Sequence, residues 1–143
     1  MKKLLLVLLI SISFHIFAQE DLSKINIDNL KRLSGSEIIS TFSNTGLMGY
    51  FSKEIYGIED YKFIEYAYAN GDFDMQSEFL IASGKWKVHD DQMCSKATKV
   101  SVGIPEKMFV CFFIYTNNNG EYYSYMPGLG IYAKTYAVMP LID

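Results

Sequence analysis

The amino-acid sequence predicts a mainly β fold: an antiparallel up-and-down barrel of about eight strands, with one short N-terminal helix packed outside. Three observations support this prediction. Apolar residues alternate with a period of two from Leu47 onward, turn residues recur at short intervals, and most of the strands have one apolar face. Closing such a sheet into a barrel removes its exposed edges, so we favour a barrel over the alternative, a two-sheet β-sandwich.

The composition is that of an ordinary globular chain. Its 143 residues suit a single domain, and a content of 50% hydrophobic and 20% charged residues excludes bulk disorder. The formal net charge of -3 provides no basic surface to neutralise phosphates. We therefore expect no nucleic-acid partner.

Residues 1–19 have the layout of a bacterial secretory signal peptide. The basic start Met1-Lys2-Lys3 precedes an apolar run over residues 4–17, and the small residue Ala18 suits the position before a cleavage site. The run is shorter than the roughly 18–20 residues that a spanning helix needs. We expect cleavage, a periplasmic or secreted location, and a single domain over residues 20–143 that does not span a membrane.

The segment before the helix, residues 20–33, is polar with scattered aliphatic residues, and predicts a loose lead-in or a short helical turn. Ser34 and Glu37 then have the spacing of a capping box. An apolar stripe follows at helical spacing, formed by Ile38, Ile39 and Phe42. This pattern predicts a helix over residues 35–43, which is too short to be stable without an apolar surface beneath it.

The dipeptide Asn70-Gly71 predicts a first hairpin, because this pair favours a two-residue type I′ turn. Such a turn places Tyr68 opposite Phe73 and Tyr66 opposite Met75 on the inward face. The other face is polar or small, as expected for a sheet with one solvated side.

Asp90-Asp91 predicts the turn of a second hairpin, with Val88 opposite Met93 on the inside. The single tryptophan, Trp86, shares that inward face, where its large ring contributes most burial.

The loop over residues 117–120 predicts a third hairpin between strands at 107–116 and 121–126. The inward face carries Phe112, Ile114, Tyr123 and Tyr125. The outward face is also apolar, with Phe109, Cys111, Phe113 and Tyr115. Something must cover that outward face, and we expect the helix over residues 35–43 to do so.

Two further strands complete the barrel. The predicted strands are 47–56, 61–69, 72–81, 84–89, 92–96, 107–116, 121–126 and 130–138. An interior of this size can either fill with side chains or hold one small ligand.

The two cysteines, Cys94 and Cys111, are expected to pair, because an oxidising compartment favours a disulfide. Closing this loop stabilises the fold by about 3 kcal/mol in the chain-entropy model. A reactive Cys94 assisted by His89 is the alternative, but export works against a retained thiolate.

Three stretches resemble a family of secreted bacterial proteins, the "domain of unknown function 995" type. They are Ser36–Gly46, the run Gly84-Lys85-Trp86-Lys87-Val88 continuing to Cys94, and Cys111-Phe112-Phe113-Ile114-Tyr115. The resemblance implies a small lipocalin-like barrel outside the cytoplasm. It implies no activity and no functional residue.

Catalysis is not expected. His89 is the only histidine outside the predicted signal peptide, and it lies beside an exposed turn. A Ser/His/Asp site would need that side chain in a pocket, and metal sites usually draw on three or four convergent ligands. We therefore predict no catalytic residue, no metal and no cofactor.

The leading functional hypothesis is that a monomer binds a small apolar or amphipathic ligand inside the barrel. The candidate lining residues are Tyr66, Tyr68, Phe73, Met75, Trp86, Phe112, Ile114, Tyr123 and Tyr125. The alternative is a cell-envelope interaction or structural module with a packed core and no ligand. In that case some of the other aromatic residues would form an exposed patch, drawn from Tyr50, Phe51, Tyr56, Tyr61, Tyr132 and Tyr136.

Overall fold

The computed structural model of the protein describes residues 19–142, so the predicted signal peptide lies outside the described residues except for its last position. The described residues form nine strands and two short α-helices. In order these are β1 (Lys31–Arg32), α1 (Gly35–Phe42), β2 (Thr45–Phe51), α2 (Lys53–Tyr56), β3 (Lys62–Ala67), β4 (Asp72–Ser77), β5 (Ile81–His89), β6 (Gln92–Val100), β7 (Val110–Thr116), β8 (Tyr122–Met126) and β9 (Gly130–Pro140).

Strands β2 to β9 close into an antiparallel barrel. Each strand pairs with the next along the chain, and β9 pairs back with β2. The predicted fold class is therefore confirmed, and the sandwich alternative is excluded. Strand β1 is an additional strand, which pairs with the C-terminal end of β7.

The connections lie alternately at the two ends of the barrel. We call one end the mouth, formed by the loops over residues 52–61, 78–80, 101–109 and 127–129. The other end, the base, contains the turns over residues 68–71, 90–91 and 117–121.

Helix α1 begins with the predicted capping box. The Ser34 hydroxyl accepts a hydrogen bond from the Glu37 N–H, and the Glu37 carboxylate accepts one from the Ser34 N–H at 2.8 Å. The chain before it forms two turns of 3-10 helix, Leu22–Lys24 and Ile27–Asn29, and then strand β1.

Helix α1 closes the base of the barrel. Its buried residues Ile38 and Phe42 pack into the barrel core with Trp86. The Gly35 N–H donates a hydrogen bond of 2.6 Å to the Asp91 carboxylate in the β5–β6 turn, which holds the helix at this end. The expectation that the helix covers the outward face of the strand at 107–116 is wrong, because its apolar stripe seals the open end of the core instead.

The N-terminal segment covers the outer side of the barrel. Leu22 packs with Tyr50, Tyr123 and Ile131, and we call these four residues the outer cluster. Tyr115 of β7 packs against the same cluster. The polar lead-in thus provides the cover that we expected from the helix.

The turn at Asn70-Gly71 differs from the predicted one. The Gly71 N–H donates to the Tyr68 carbonyl at 3.0 Å, and Gly71 has a φ of 88°, whereas Asn70 is not left-handed. A type I turn followed by a left-handed glycine makes a three-residue loop. A type I′ turn would need positive φ at both central positions.

The extra loop residue shifts the β3–β4 register by one position and reverses the faces of β3. Glu65 therefore faces the interior, while Tyr66 lies opposite Asp74 on the outer surface and is 40% exposed. The Tyr68 hydroxyl donates to the Asp74 carboxylate at 3.2 Å on that surface. The inward orientation predicted for Tyr66 and Tyr68 is wrong, whereas the one predicted for Phe73 is confirmed.

The third hairpin also differs from the predicted register because its loop has an unexpected length. Gly120 has a φ of 73° and ends a second three-residue loop. Ile114 then lies opposite Ser124, so Tyr123 and Tyr125 face outward. Their predicted inward orientation is wrong, but that of Ile114 is confirmed, since it lies in the barrel core.

The second hairpin has the predicted register. Asp90 and Asp91 have φ values of 50° and 55°, as a type I′ turn requires. Trp86 is buried in the barrel core. Cys94 and Cys111 are disulfide-bonded across β6 and β7, as predicted.

Candidate ligand-binding cavity

The barrel contains a cavity of about 390 Å³ that opens at the mouth. Its walls are mostly apolar, and the strands contribute Phe73, Met75, Ala82, Ala97 and Phe112 among other residues. The volume lies at the lower end of the range for small-molecule sites, roughly 300–1,000 Å³. The space can therefore hold one small organic molecule.

A smaller void of about 50 Å³ lies deeper, where Phe42 of helix α1 and Ile114 contribute to its lining. Four residues line both spaces: Phe51, Glu65, Phe112 and Tyr132. These four residues mark the inner end of the larger cavity, and we call them the inner ring.

Glu65 is the one carboxyl group of the inner ring. Part of its side chain is accessible from the cavity, but protein surrounds the rest, and this burial raises the pKa of the carboxyl to about 7. Within the described part of the chain it forms no hydrogen bond or ion pair. A carboxyl group that loses much of its water without gaining a partner is costly, so the charged form of Glu65 does not stabilise the fold.

Tyr132 lies beside this carboxyl. Its ring meets that of Phe112 edge to face, with centroids 5.3 Å apart. Burial, together with the nearby charge of Glu65, raises the pKa of the Tyr132 hydroxyl well above its usual value, so the phenol stays neutral.

The polar groups of the cavity have an acidic bias. The described residues that line it include Glu65, Glu106 and the tyrosines Tyr56, Tyr61 and Tyr132, but no Lys, Arg or His. No cationic side chain of this lining is therefore placed to neutralise an anionic ligand.

Apolar side chains surround the mouth. The exposed residues there are Tyr56, Phe79, Val102, Ile104, Met108 and Leu129. Ile104 is 85% exposed and lies in the β6–β7 loop. Glu106 anchors this loop: its N–H donates to the Ala97 carbonyl at 2.9 Å, and its carboxylate accepts from the Ala97 N–H at 2.7 Å.

The cavity includes only some of the predicted lining residues. Phe73, Met75 and Phe112 line the larger space, and Ile114 lines the smaller one together with Phe112. Trp86 is buried in the barrel core but lines neither of these two spaces. The outward tyrosines Tyr66, Tyr68, Tyr123 and Tyr125 do not contribute to the two linings.

Sequence reasoning missed the inner ring except for Phe112. The predicted two-residue turn puts Glu65 on the solvated face of this hairpin. A signal was nevertheless present, since Glu65 lies midway between Phe63 and Ala67 and shares their face at period two. Both neighbours are buried.

The aromatic residues considered for an exposed patch do not form one. Phe51, Tyr61 and Tyr132 line the cavity, and Tyr50 belongs to the outer cluster. Tyr56 and Tyr136 are exposed, at 44% and 41%.

Within residues 19–142, no group of three or more His, Cys, Asp and Glu side chains is arranged to hold a metal ion. No helix in that part of the chain has both the length and the apolar character needed to cross a membrane. No protein-family model, curated protein or solved structure matches this chain. The resemblance described from the sequence therefore stays a prediction.

Proposed function

We propose that this protein binds one small apolar or amphipathic molecule in the barrel cavity and acts by binding rather than by catalysis. The observation that carries the proposal is the cavity of about 390 Å³ with apolar walls, an open mouth and a carboxyl group at its inner end. Protein interiors are normally close-packed, and voids larger than a water molecule are few. A space of this size inside so small a barrel is better explained by a ligand than by stability.

The walls and the mouth suit such a ligand. Burial of apolar surface contributes roughly 25 cal/mol for each Å² removed from water, so a molecule enclosed by Phe73, Met75 and Phe112 gains affinity mainly from this contact. The exposed apolar side chains at the mouth, such as Ile104 and Leu129, would contact the ligand as it enters.

A cavity-filling variant tests this function. Ala82 lines the cavity and is buried on β5, so Ala82→Phe would place a ring inside the binding space. A panel of short-chain alcohols, acids and amines would be titrated by calorimetry and by thermal unfolding. A ligand at about 100 times its Kd should stabilise the wild type by about 2.7 kcal/mol, and Ala82→Phe should abolish that gain.

The matched control is Ala69→Phe, which adds the same ring in an exposed loop at the base. It should bind the panel as the wild type does. Absence of saturable binding across the panel, or equal binding by Ala82→Phe, would contradict the proposal.

We also propose that the chain is exported and loses its first residues. The Cys94–Cys111 disulfide supports this, because such bonds persist in oxidising compartments. Protein purified from the native cells should begin at Gln19 or Glu20 when its N-terminus is sequenced. Recovery of a chain that still begins at Met1 would show that cleavage does not occur.

A further inference from the structure

We propose that the ligand is a small organic cation, a primary amine with an apolar body, whose ammonium group binds the Glu65 carboxylate among the rings of the inner ring. This inference rests on the ligand-binding function proposed above and specifies its chemical class. Three features of the cavity carry it: a carboxyl group without a partner, the aromatic rings around it, and an acidic lining.

The Glu65 carboxyl is available for an incoming charge. Within the described residues it has no hydrogen-bonding or ionic partner, and it lies where the larger cavity meets the deeper void. Folding has already removed part of the hydration of this group. A bound ammonium group would therefore supply the missing partner, and less carboxyl desolvation remains to oppose binding than at an exposed glutamate.

Aromatic rings form the surroundings of this carboxyl. Phe51 packs against Tyr61 and Phe63 with ring centroids 4.8 Å apart in both pairs. On the other strands Tyr132 packs against Phe112. Ring faces attract a cation, by about 0.5–1 kcal/mol at exposed sites and by about 2 kcal/mol when it is desolvated. The same rings would also contact the apolar body of the amine.

The charges facing the cavity disfavour an anion. The titratable groups that face it beside Glu65 are Tyr56 of helix α2, Tyr61 before β3, Glu106 of the β6–β7 loop and Tyr132 of β9. Tyr122 of β8 faces the deeper void. None of these groups is cationic, and a ligand carboxylate would approach two glutamates.

Proton exchange follows from this assignment. Because burial raises the pKa of the Glu65 carboxyl to about 7, an ammonium ligand must displace a proton from Glu65 to bind below that pH. At about pH 6 roughly one proton should pass from Glu65 to the buffer for each amine bound. Affinity should fall about tenfold per pH unit below 7, and so about 100-fold at pH 5.

The experiment compares three probes of equal chain length: octylamine, octanol and octanoic acid. Calorimetry at about pH 8 should show octylamine binding at least about tenfold more tightly than octanol, with octanoic acid weakest. Titrations at about pH 6 in buffers of different ionisation enthalpy would measure the released proton. Tighter binding of octanoic acid, or equal binding of all three probes, would overturn the amine assignment while leaving the cavity function intact.

Two variants separate the charge from the shape of the site. Glu65→Gln keeps the size of the side chain and removes its charge, so octylamine should bind about 100-fold more weakly and without proton release, while octanol binding should stay within about threefold. Asp28→Asn removes an exposed carboxylate of the N-terminal segment, outside both cavity linings, and should leave octylamine binding within about threefold. Unchanged octylamine binding by Glu65→Gln would refute the inference, whereas failure of every probe on the wild type would refute the proposed function itself.

Discussion

Cys94 and Cys111 lie directly opposite each other on β6 and β7, with their Cα atoms 4.0 Å apart. Only three residue pairs join these two strands, from Met93–Phe112 to Ser95–Val110. This is the shortest ladder of the closed barrel, and on the same edge of β7 the C-terminal end pairs with β1 instead of β6. The disulfide therefore reinforces the barrel where backbone pairing is weakest.

Removing this bond should weaken the barrel substantially. The double variant Cys94→Ala/Cys111→Ala should lose about 2–5 kcal/mol of unfolding free energy, as for native disulfides in small domains. Denaturant melts would measure the loss. Reducing agent should destabilise the wild type by a similar amount and leave the double variant unaffected. A wild type insensitive to reduction, or one with two alkylatable thiols when isolated without reductant, would contradict this prediction.

The observed register of the β3–β4 hairpin predicts different losses of stability for two aromatic residues that were both expected to face inward. Phe73 is buried in the barrel core, so Phe73→Ala should cost about 3–5 kcal/mol. Tyr66 lies on the outer surface, so Tyr66→Ala should cost less than about 1 kcal/mol. Equilibrium unfolding of the two variants decides between the registers, and the type I′ register would require both changes to be severe.

Glu65 should make stability depend on pH in a defined direction. The folded state raises the pKa of this carboxyl from 4.5 to about 7, so the folded state binds the proton more tightly than the unfolded chain. The contribution of this carboxyl to the free energy of unfolding is fully present below about pH 4.5. It is lost progressively as the pH rises to about 7, and it no longer changes above that pH. Glu65→Gln should therefore be about 3 kcal/mol more stable than the wild type at about pH 8, and similar to it near pH 4.5.

Unfolding curves recorded across this range would measure the difference between Glu65→Gln and the wild type. Leu129→Ala is the control because it changes no titratable group, and its difference from the wild type should not change over the same interval. A constant difference for Glu65→Gln at every pH would show that the Glu65 carboxyl has no raised pKa.

The N-terminal segment should be an integral part of the fold. Leu22 is almost fully buried in the outer cluster, so Leu22→Ala should cost about 2–5 kcal/mol. Leu129→Ala makes the same change at a half-exposed position of the mouth and should cost less than about 1 kcal/mol. Equal costs in thermal or denaturant melts would mean that the segment does not pack on the barrel in solution.

The candidate site was only partly predictable. Phe73 and Met75 were predictable because they alternate with polar neighbours, so that their face is unambiguous. Glu65 was not identified, since a carboxylate in a strand is normally assigned to solvent. Its inward position became visible only when the β3–β4 register was known.

By itself the sequence determined the number and order of the barrel strands, the capped helix and the Cys94–Cys111 pairing. These features depend on local periodicity, on a capping box and on the presence of only two cysteines. Tertiary structure alone decided which face of β3 and of β8 points inward and what covers the outer side of the barrel. The physical reason is that one extra left-handed loop residue, at Gly71 or Gly120, exchanges the inward and outward faces of a whole strand. A strand with apolar residues on both faces has no pattern in its sequence that opposes this exchange.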